Sequence, residues 1–484
     1  MAQELDDVDF AGLPEPILVK IFNILNLTDR GRAAQVCRAW ADAFNHPSVW
    51  DEAEVVLRAA KDEEEAKVLF NVYSLDHQTT MLQRFGKYLD TLTVSAIYLR
   101  TEFLSSDYDV LRAVFRNCSE LDTLRIGVYG AHQIIKVVRF KIHPITTLKG
   151  LIPVHTIMLH LKRLRKFHLM SWPHKDPNGF TILTTMAMND NISDIEELNL
   201  YWNFVPNNPA WAARILEMPE SCEVSSCLNK FRHVKIFSIQ MSILTDEIVS
   251  VFARPRVNRL AKFKILIAYQ RGPGEFEKSV IPDSTWKAVR MNNPHMKVVF
   301  TFAGRIRQND LLAIFQPMIP LQAVIFMKFS RATQVALEAL ATYYYESLEY
   351  YRDYSDSFGI DEDLIRIANR CTEMSRLIHR GSIHPDTVLS IAEVAGKRLK
   401  YFEVYDAKIS TKGSSAREFY DDDEVFTVQE DGTYALVQQQ LNKKEKEIED
   451  GRTGLLEELY GKVSALLGRS WKAKPAPPEE YFKF

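Results

Sequence analysis

A helix-and-strand unit recurs through residues 85–410, and this recurrence limits the fold more than any other feature of the chain. Each copy opens with four apolar residues at i, i+3, i+4 and i+7, one face of a helix. Ten to twelve residues after the first of them comes a short apolar-x-x-apolar-x-apolar run. One copy is Leu111, Val114, Phe115, Cys118, then Leu121-x-x-Leu124-x-Ile126. Another is Val388, Ile391, Ala392, Ala395, then Leu399-x-x-Phe402-x-Val404. Strands are predicted to start at Leu89, Leu121, Leu164, Ile195, Val234, Leu260, His295, Leu321, Leu348, Met374 and Leu399. From Leu321 the steps are 27, 26 and 25, whereas the early steps run unevenly from 31 to 43. A unit with one apolar strand face and one helix stripe is too small to fold alone, so copies must stack. Stacking gives a parallel sheet with helices behind it. A compact α/β domain also alternates strand and helix, but it has no reason to keep a fixed period.

Residues 13–50 form a different module. Leu13-Pro14 is a helix-start signal, because proline loses no hydrogen bond in a first turn. Ile17, Leu18, Ile21, Phe22 and Leu25 follow at helical spacing as one broad apolar stripe. Thr28 or Asp29 offers a new N-cap. Ala33, Ala34, Val36, Cys37 and Trp40 make a second helical face, and a third segment runs from Phe44 to Val49 and Trp50. A block of about 40 residues is too small for a self-sufficient core. Its stripe must be covered by the next domain, by a partner helix, or by both.

This module resembles the F-box, the adaptor-binding motif of Skp–cullin–F-box ubiquitin ligases. The resemblance rests on Leu13-Pro14, Ile21-Phe22, Leu25, Val36-Cys37-Arg38 with Trp40, and Val49-Trp50. It implies that Leu13, Pro14, Ile17, Leu18, Ile21, Phe22, Val36, Cys37 and Trp40 carry or support contact with a Skp-type adaptor, with a cullin scaffold beyond it. Pro16 and Arg30-Gly31-Arg32 depart from the family pattern, and Gly31 costs the second helix up to ~1 kcal/mol relative to alanine. The recurring unit, with a period inside 20–29 residues, is the leucine-rich-repeat signature in a degenerate form without its asparagine ladder. The two together resemble the substrate receptors of cullin–RING ligases, in which the enzyme parts sit on other chains.

The expected fold class is therefore α/β. A three-helix F-box (10–55) precedes an irregular leucine-rich-repeat solenoid (56–410), a parallel sheet with outer helices. An acidic loop (411–434) and a C-terminal helix and tail (435–484) follow. In the tail, Leu455, Leu456, Leu459, Val463, Leu466 and Leu467 form a stripe suited to capping the open end of the solenoid. Residues 435–449 read as a polar helix, and Tyr481, Phe482 and Phe484 could dock.

Composition excludes several classes. Apolar residues make up 46 % and charged residues 25 %, with a net charge of −3, so there is no global pull toward nucleic acid or an anionic membrane. No apolar run approaches the ~18–20 residues of a membrane span. Five cysteines suit a reducing compartment, cytoplasmic or nuclear, rather than a disulfide framework. Cys222, Cys227 and His233 lack the second pair a zinc site usually wants. Arg271-Gly272-Pro273-Gly274 reads as a turn and lacks the lysine of a phosphate cradle. No catalytic motif is present and no cofactor is implied.

Substrate is expected on the strand positions that alternate outward. Arg165, His168, Tyr201, Trp202, Lys264, Tyr269 and Arg352 are the candidates, since aromatics beside Arg and Lys are common hot-spot types. The mixed signs of charge on this face point to no particular ligand. The leading reading is a non-enzymatic receptor that joins adaptor to protein substrate. A scaffold whose F-box serves a stable complex without ligase activity is the alternative, and an enzyme with a hidden pocket is the third.

Overall fold

The computed structural model describes residues 12–25, 27–57, 75–96, 105–128, 151–170, 181–201, 219–268, 280–304, 306–328, 330–405, 409 and 454–475. Contacts divide the chain into two compact units. One is built on residues up to Ala261 with Ala288–Pro294, the other on Lys262–Lys287 and the chain from His295.

The first unit opens with three short helices, α1 (Glu15–Ile24), α2 (Leu27–Ala33) and α3 (Arg38–Phe44). Six strands follow: β1 (Glu52–Leu57), β2 (Thr91–Ala96), β3 (Thr123–Val128), β4 (Lys166–Met170), β5 (Glu197–Tyr201) and β6 (Ile236–Gln240). They pair in chain order and in parallel, with Leu92 opposite Leu124, Leu124 opposite Phe167, and Phe167 opposite Leu198. Helices between the strands, such as Leu75–Phe85 and Ser105–Asn117, cover the apolar face.

The register is set where the strands begin. The carbonyl of Asp90 accepts the N–H groups of both Asp122 and Thr123, Asp122 does the same for Arg165 and Lys166, and Arg165 does so for Glu196 and Glu197. Each repeat thus locks the next by two backbone bonds at one oxygen, which satisfies the groups a parallel ladder would otherwise leave open. The work of the missing asparagine ladder falls to buried amides elsewhere. Asn189 donates to the carbonyls of Met158 and Leu161, and Asn293 donates to Phe252 and accepts from Leu260 N–H. Gln78 pairs with both backbone groups of Val56.

The second unit repeats the scheme with β7 (Lys262–Ile267), β8 (Lys297–Phe302), β9 (Leu321–Phe326), β10 (Tyr350–Asp353), β11 (Arg376–His379) and β12 (Tyr401–Val404). They too pair in parallel in chain order. Its helices carry clear end signals. The helix Asp361–Arg370 opens on three acidic residues and closes on Arg370, matching the helix dipole. The helix Pro385–Ala395 starts at a proline, where a missing N–H costs nothing.

Eleven of the twelve strands begin within two residues of their predicted starts. The twelfth, β1, lies in a stretch without the repeat pattern and was not expected. Residues 454–467 are helical and pack on the second unit. Leu459 and Val463 are buried, whereas Leu455 and Leu466 are exposed. Behind this helix Trp471 stacks on Phe402, with ring centroids 5.4 Å apart, and donates its indole N–H to the Phe402 carbonyl at 2.9 Å. Arg469 bonds the Leu399 carbonyl, and Lys474 N–H bonds Val404. The tail therefore takes up the free edge of β12, which would otherwise present unpaired backbone groups. The predicted helix 435–449, the acidic loop 411–434 and Tyr481, Phe482 and Phe484 lie outside the described residues.

A carboxylate clamps this edge. Glu403 is buried and accepts from the Tyr405 hydroxyl at 2.6 Å, from Lys474 at 2.6 Å and from the Tyr401 hydroxyl. Burial would raise its pKa, but the three donors together hold it below the ordinary glutamate range. A depressed carboxyl stabilises the fold above its unfolded-state pKa near ~4.3, and the contribution disappears as pH falls through the lower folded value. Hydrogen exchange of residues 401–405 is expected to accelerate in that acid window in the native chain. Glu403→Gln is expected to show fast exchange already at pH 7. Slow exchange in the variant at pH 7 would remove the clamp from the account.

Candidate protein-docking sites

The N-terminal module shows what one apolar stripe conceals. The Pro14 carbonyl accepts the N–H groups of Ile17 and Leu18 and starts α1. From there the apolar residues divide into two rows roughly 100° apart on a helix of 3.6 residues per turn. Leu18 (1 % exposed) and Phe22 (0 %) face inward, with Leu25 below them half-buried. Ile17 (42 % exposed) and Ile24 (84 %) face outward, with Ile21 half-buried between them. Val36, after α2, is 65 % exposed, and Pro14 is also exposed. Leu13, Cys37 and Trp40 are half-buried.

The inward row is held by aromatics. Phe22 meets Trp40 edge-on at 5.9 Å and Phe44 at 6.2 Å. Phe44 meets Trp50 at 5.1 Å and Phe85 at 5.6 Å, while Trp50 lies flat on Phe85 at 4.0 Å. The Trp50 indole N–H donates to the Phe44 carbonyl at 2.7 Å. Arg30 ties the segments together, donating to the carbonyls of Leu25 at 2.9 Å and Val49 at 2.7 Å and lying over the Trp50 ring. The departure at Arg30 is thus a structural tie of this module. Gly31 has open space where a Cβ would stand, so it is not required by packing.

Of the nine residues assigned to the adaptor face, Leu18 and Phe22 are sealed within the chain and can only support that face. The other seven keep surface of their own. Ile24 was missed, although its place four and seven residues along from Ile17 via Ile21–Ile24 put it on the same row. Only the packing of α3 against α1 reveals which row stays open.

On the repeat sheet, the positions expected to point outward differ in exposure, with Thr123 and Asn199 buried. Thr123, Arg125, Lys166, His168, Glu197 and Asn199 share one face of β3 to β5. Arg125 is paired with Glu52 at 2.8 Å. His168 Nε2 lies 3.3 Å from Glu197, off the line of a good hydrogen bond. Arg165 is exposed and 4.0 Å from Asp122. Lys264 and Arg352 are half-buried on β7 and β10. Tyr201 ends β5, and its side chain is not among those described. Trp202 and Tyr269, together with the Arg271–Gly274 turn, lie outside the described residues.

No group of three or more His, Cys, Asp or Glu residues among the described ones is placed to hold a metal. Cys227 is buried and Cys222 exposed on one helix. One cluster carries the residue types of a hydrolase: Asp353 Oδ2 stands 3.0 Å from His379 Nδ1, and Asp353 Oδ1 accepts from Ser355, which contacts Ser357. All four are fully buried. No substrate can reach them, and the cluster serves the packing of the second unit. Among the described residues no helix is long and apolar enough to cross a membrane.

A helical module with an open apolar row is thus followed by stacked strand-and-helix repeats. Residues 10–53 match the F-box-like family. Over 406 residues the chain is 22 % identical to F-box/LRR-repeat protein 21 of Mus musculus, covering 82 % of this chain and 83 % of that protein. It is 21 % identical over 447 residues to F-box only protein 33 of Homo sapiens, covering 82 % and 77 %. A solved chain in the "Crystal structure of Rad7 and Elc1 complex in yeast" is matched at 13 % identity with a TM-score of 0.37, covering 83 % of this chain and 91 % of that one, a likeness too loose to argue from. The N-terminal module is an F-box-like domain, and the chain is a relative of F-box/LRR-repeat and F-box only proteins over most of its length.

Proposed function

We propose that this chain is the substrate-recognition subunit of an SCF-type cullin–RING ubiquitin ligase. The F-box binds a Skp-type adaptor, the adaptor connects to a cullin, and the repeats bind a protein substrate. Catalysis belongs to other chains. The observation that carries this reading is the row of Ile17 and Ile24, exposed on α1 with half-buried Ile21 between them, beside a row of the same helix in which Leu18 and Phe22 are buried. An isolated exposed isoleucine is ordinary, but a row at helical spacing fits a groove or a partner helix.

The test uses the exposed members of the row. Ile17→Asp/Ile24→Asp changes no buried side chain, so the melting temperature is expected to stay within about 2 °C of the parent, as for surface changes of ±0.5 kcal/mol. Recovery of the adaptor by co-purification is expected to fall at least ~10-fold, because a carboxylate buried without a partner in an interface is strongly unfavourable. Undiminished recovery would remove α1 from the interface. If the adaptor is recovered in a stable stoichiometric complex that never contains cullin, the scaffold reading replaces the ligase one.

A further inference from the structure

We propose that the outward face of β10 to β12 binds a run of carboxylates, an Asp- and Glu-rich segment of a protein partner. This rests on the receptor reading for its biological use, while the binding itself does not. In sequence the charges on this face are mixed. The structure sorts them. Among the described residues, the carboxylates Glu403 and Glu349 are already engaged: Glu403 by Lys474, Tyr401 and Tyr405, and Glu349 by Lys297 at 2.7 Å and Gln322 at 2.8 Å. Arg352 and Arg376 have no carboxylate partner among the described residues, and the Nε of Arg352 is enclosed without a hydrogen-bond acceptor. What remains on the face is positive.

The arrangement is ordered. Tyr350 pairs in register with Arg376, and Arg376 with Tyr401. The Arg352 guanidinium stands 5.9 Å from the Tyr350 ring, Arg376 stands 5.5 Å from Tyr350 and 5.2 Å from Tyr401, and Lys474 stands 5.3 Å from Tyr401. Cation and ring alternate across three strands and the tail. The rings hold the guanidiniums in place by cation–π contact, which lowers the entropy lost when an acid binds. They also keep the two arginines apart. Charges spaced by rings match carboxylates spaced along a peptide, with bidentate forks available at each. Burial raises the Tyr354 hydroxyl, Arg352 and Arg376 lower it, and Glu403 and Tyr401 raise it.

The test uses the full chain bound to its adaptor and a fluorescein-labelled hexaglutamate peptide, read by anisotropy. Binding is expected, weakening steeply with added salt. The double variant Arg352→Gln/Arg376→Gln is expected to bind at least ~10-fold more weakly with unchanged melting temperature. Arg112→Gln/Arg116→Gln, which removes the same charge from a helix of the first unit, is expected to bind as the parent does. Equal loss in both variants, or equal binding of hexalysine, would overturn the proposal. So would a phosphoserine peptide that displaces hexaglutamate at far lower concentration than hexaglutamate itself, because a single phosphate would then be the occupant. Adaptor recovery is expected to be intact in the arginine variant. Failure of peptide binding therefore leaves the F-box assignment standing, and failure of adaptor binding leaves this patch standing.

Discussion

Replacing Trp50 by alanine is expected to cost about 4 kcal/mol, the range for losing a large buried aromatic, and to loosen the F-box-like domain from the first repeat. Trp50 is where these two parts meet. Its ring lies flat on Phe85, from the helix Leu75–Phe85, and edge-on to Phe44, from α3. Its N–H satisfies the Phe44 carbonyl, and Arg30 covers its face. Truncation opens a cavity and removes a hydrogen bond at once. The measurement is hydrogen exchange of residues 15–50, expected to rise far above that of β2 and β3, together with loss of adaptor recovery. Trp50→Phe keeps a ring on Phe85 but loses the N–H bond and part of the ring, so its expected cost is smaller, about 1–3 kcal/mol. Adaptor loss in Trp50→Ala comes with unfolding, whereas in Ile17→Asp/Ile24→Asp it comes without. Unchanged exchange in Trp50→Ala would show that the helices are held by something other than this aromatic cluster.

Asp353→Ala is the second large effect, expected at about 3–5 kcal/mol, the cost of leaving buried polar partners unpaired. Asp353 ends β10, facing the core. Its carboxylate accepts from the Ser355 N–H at 2.9 Å and the Ser355 hydroxyl at 2.5 Å and lies 3.0 Å from His379 on β11. Ser357 extends the network to the Ala332 N–H at 3.0 Å, which spans to the preceding repeat. The turn that encloses it admits no side chain at Gly381, where a Cβ would stand 2.1 Å from the Ser357 carbonyl. Removing the carboxylate takes the acceptor from the Ser355 N–H and the Tyr351 hydroxyl and the neighbouring charge from the His379 imidazole, all within the core. Urea unfolding followed through tyrosine fluorescence of the second unit is expected to shift to lower midpoint. A midpoint equal to the parent's would mean that the network relaxes around the gap.

The repeats were legible because they are local. A strand start at or two residues before each pairing site follows from an apolar-x-x-apolar-x-apolar run, and that run depends only on neighbours in the chain. The early repeats remained legible at Leu89, Leu121, Leu164 and Ile195 despite uneven spacing, because each keeps its own alternation. β1 was not, since Ala53, Val55 and Leu57 follow directly on Trp50 with no preceding helix of the repeat type. Trp471 was not either. Nothing about an isolated tryptophan in a Pro- and Lys-rich tail says that it will find Phe402, some seventy residues earlier.

The candidate sites divide in the same way. Period 3.6 placed Ile17, Leu18, Ile21 and Phe22 on a helix and marked it as apolar, and that much required no tertiary information. Which of the two rows would be covered depended on where α3 came to lie, and the helical period does not contain that contact. Likewise the types Arg, Tyr and Glu on β10 to β12 were readable as outward residues. Their net sign was not, because a charge acts only in proportion to what is left after its neighbours are paired, and pairing is decided by distances of a few ångströms across strands. Periodicity is a property of the covalent chain. Exposure and charge balance belong to the folded surface.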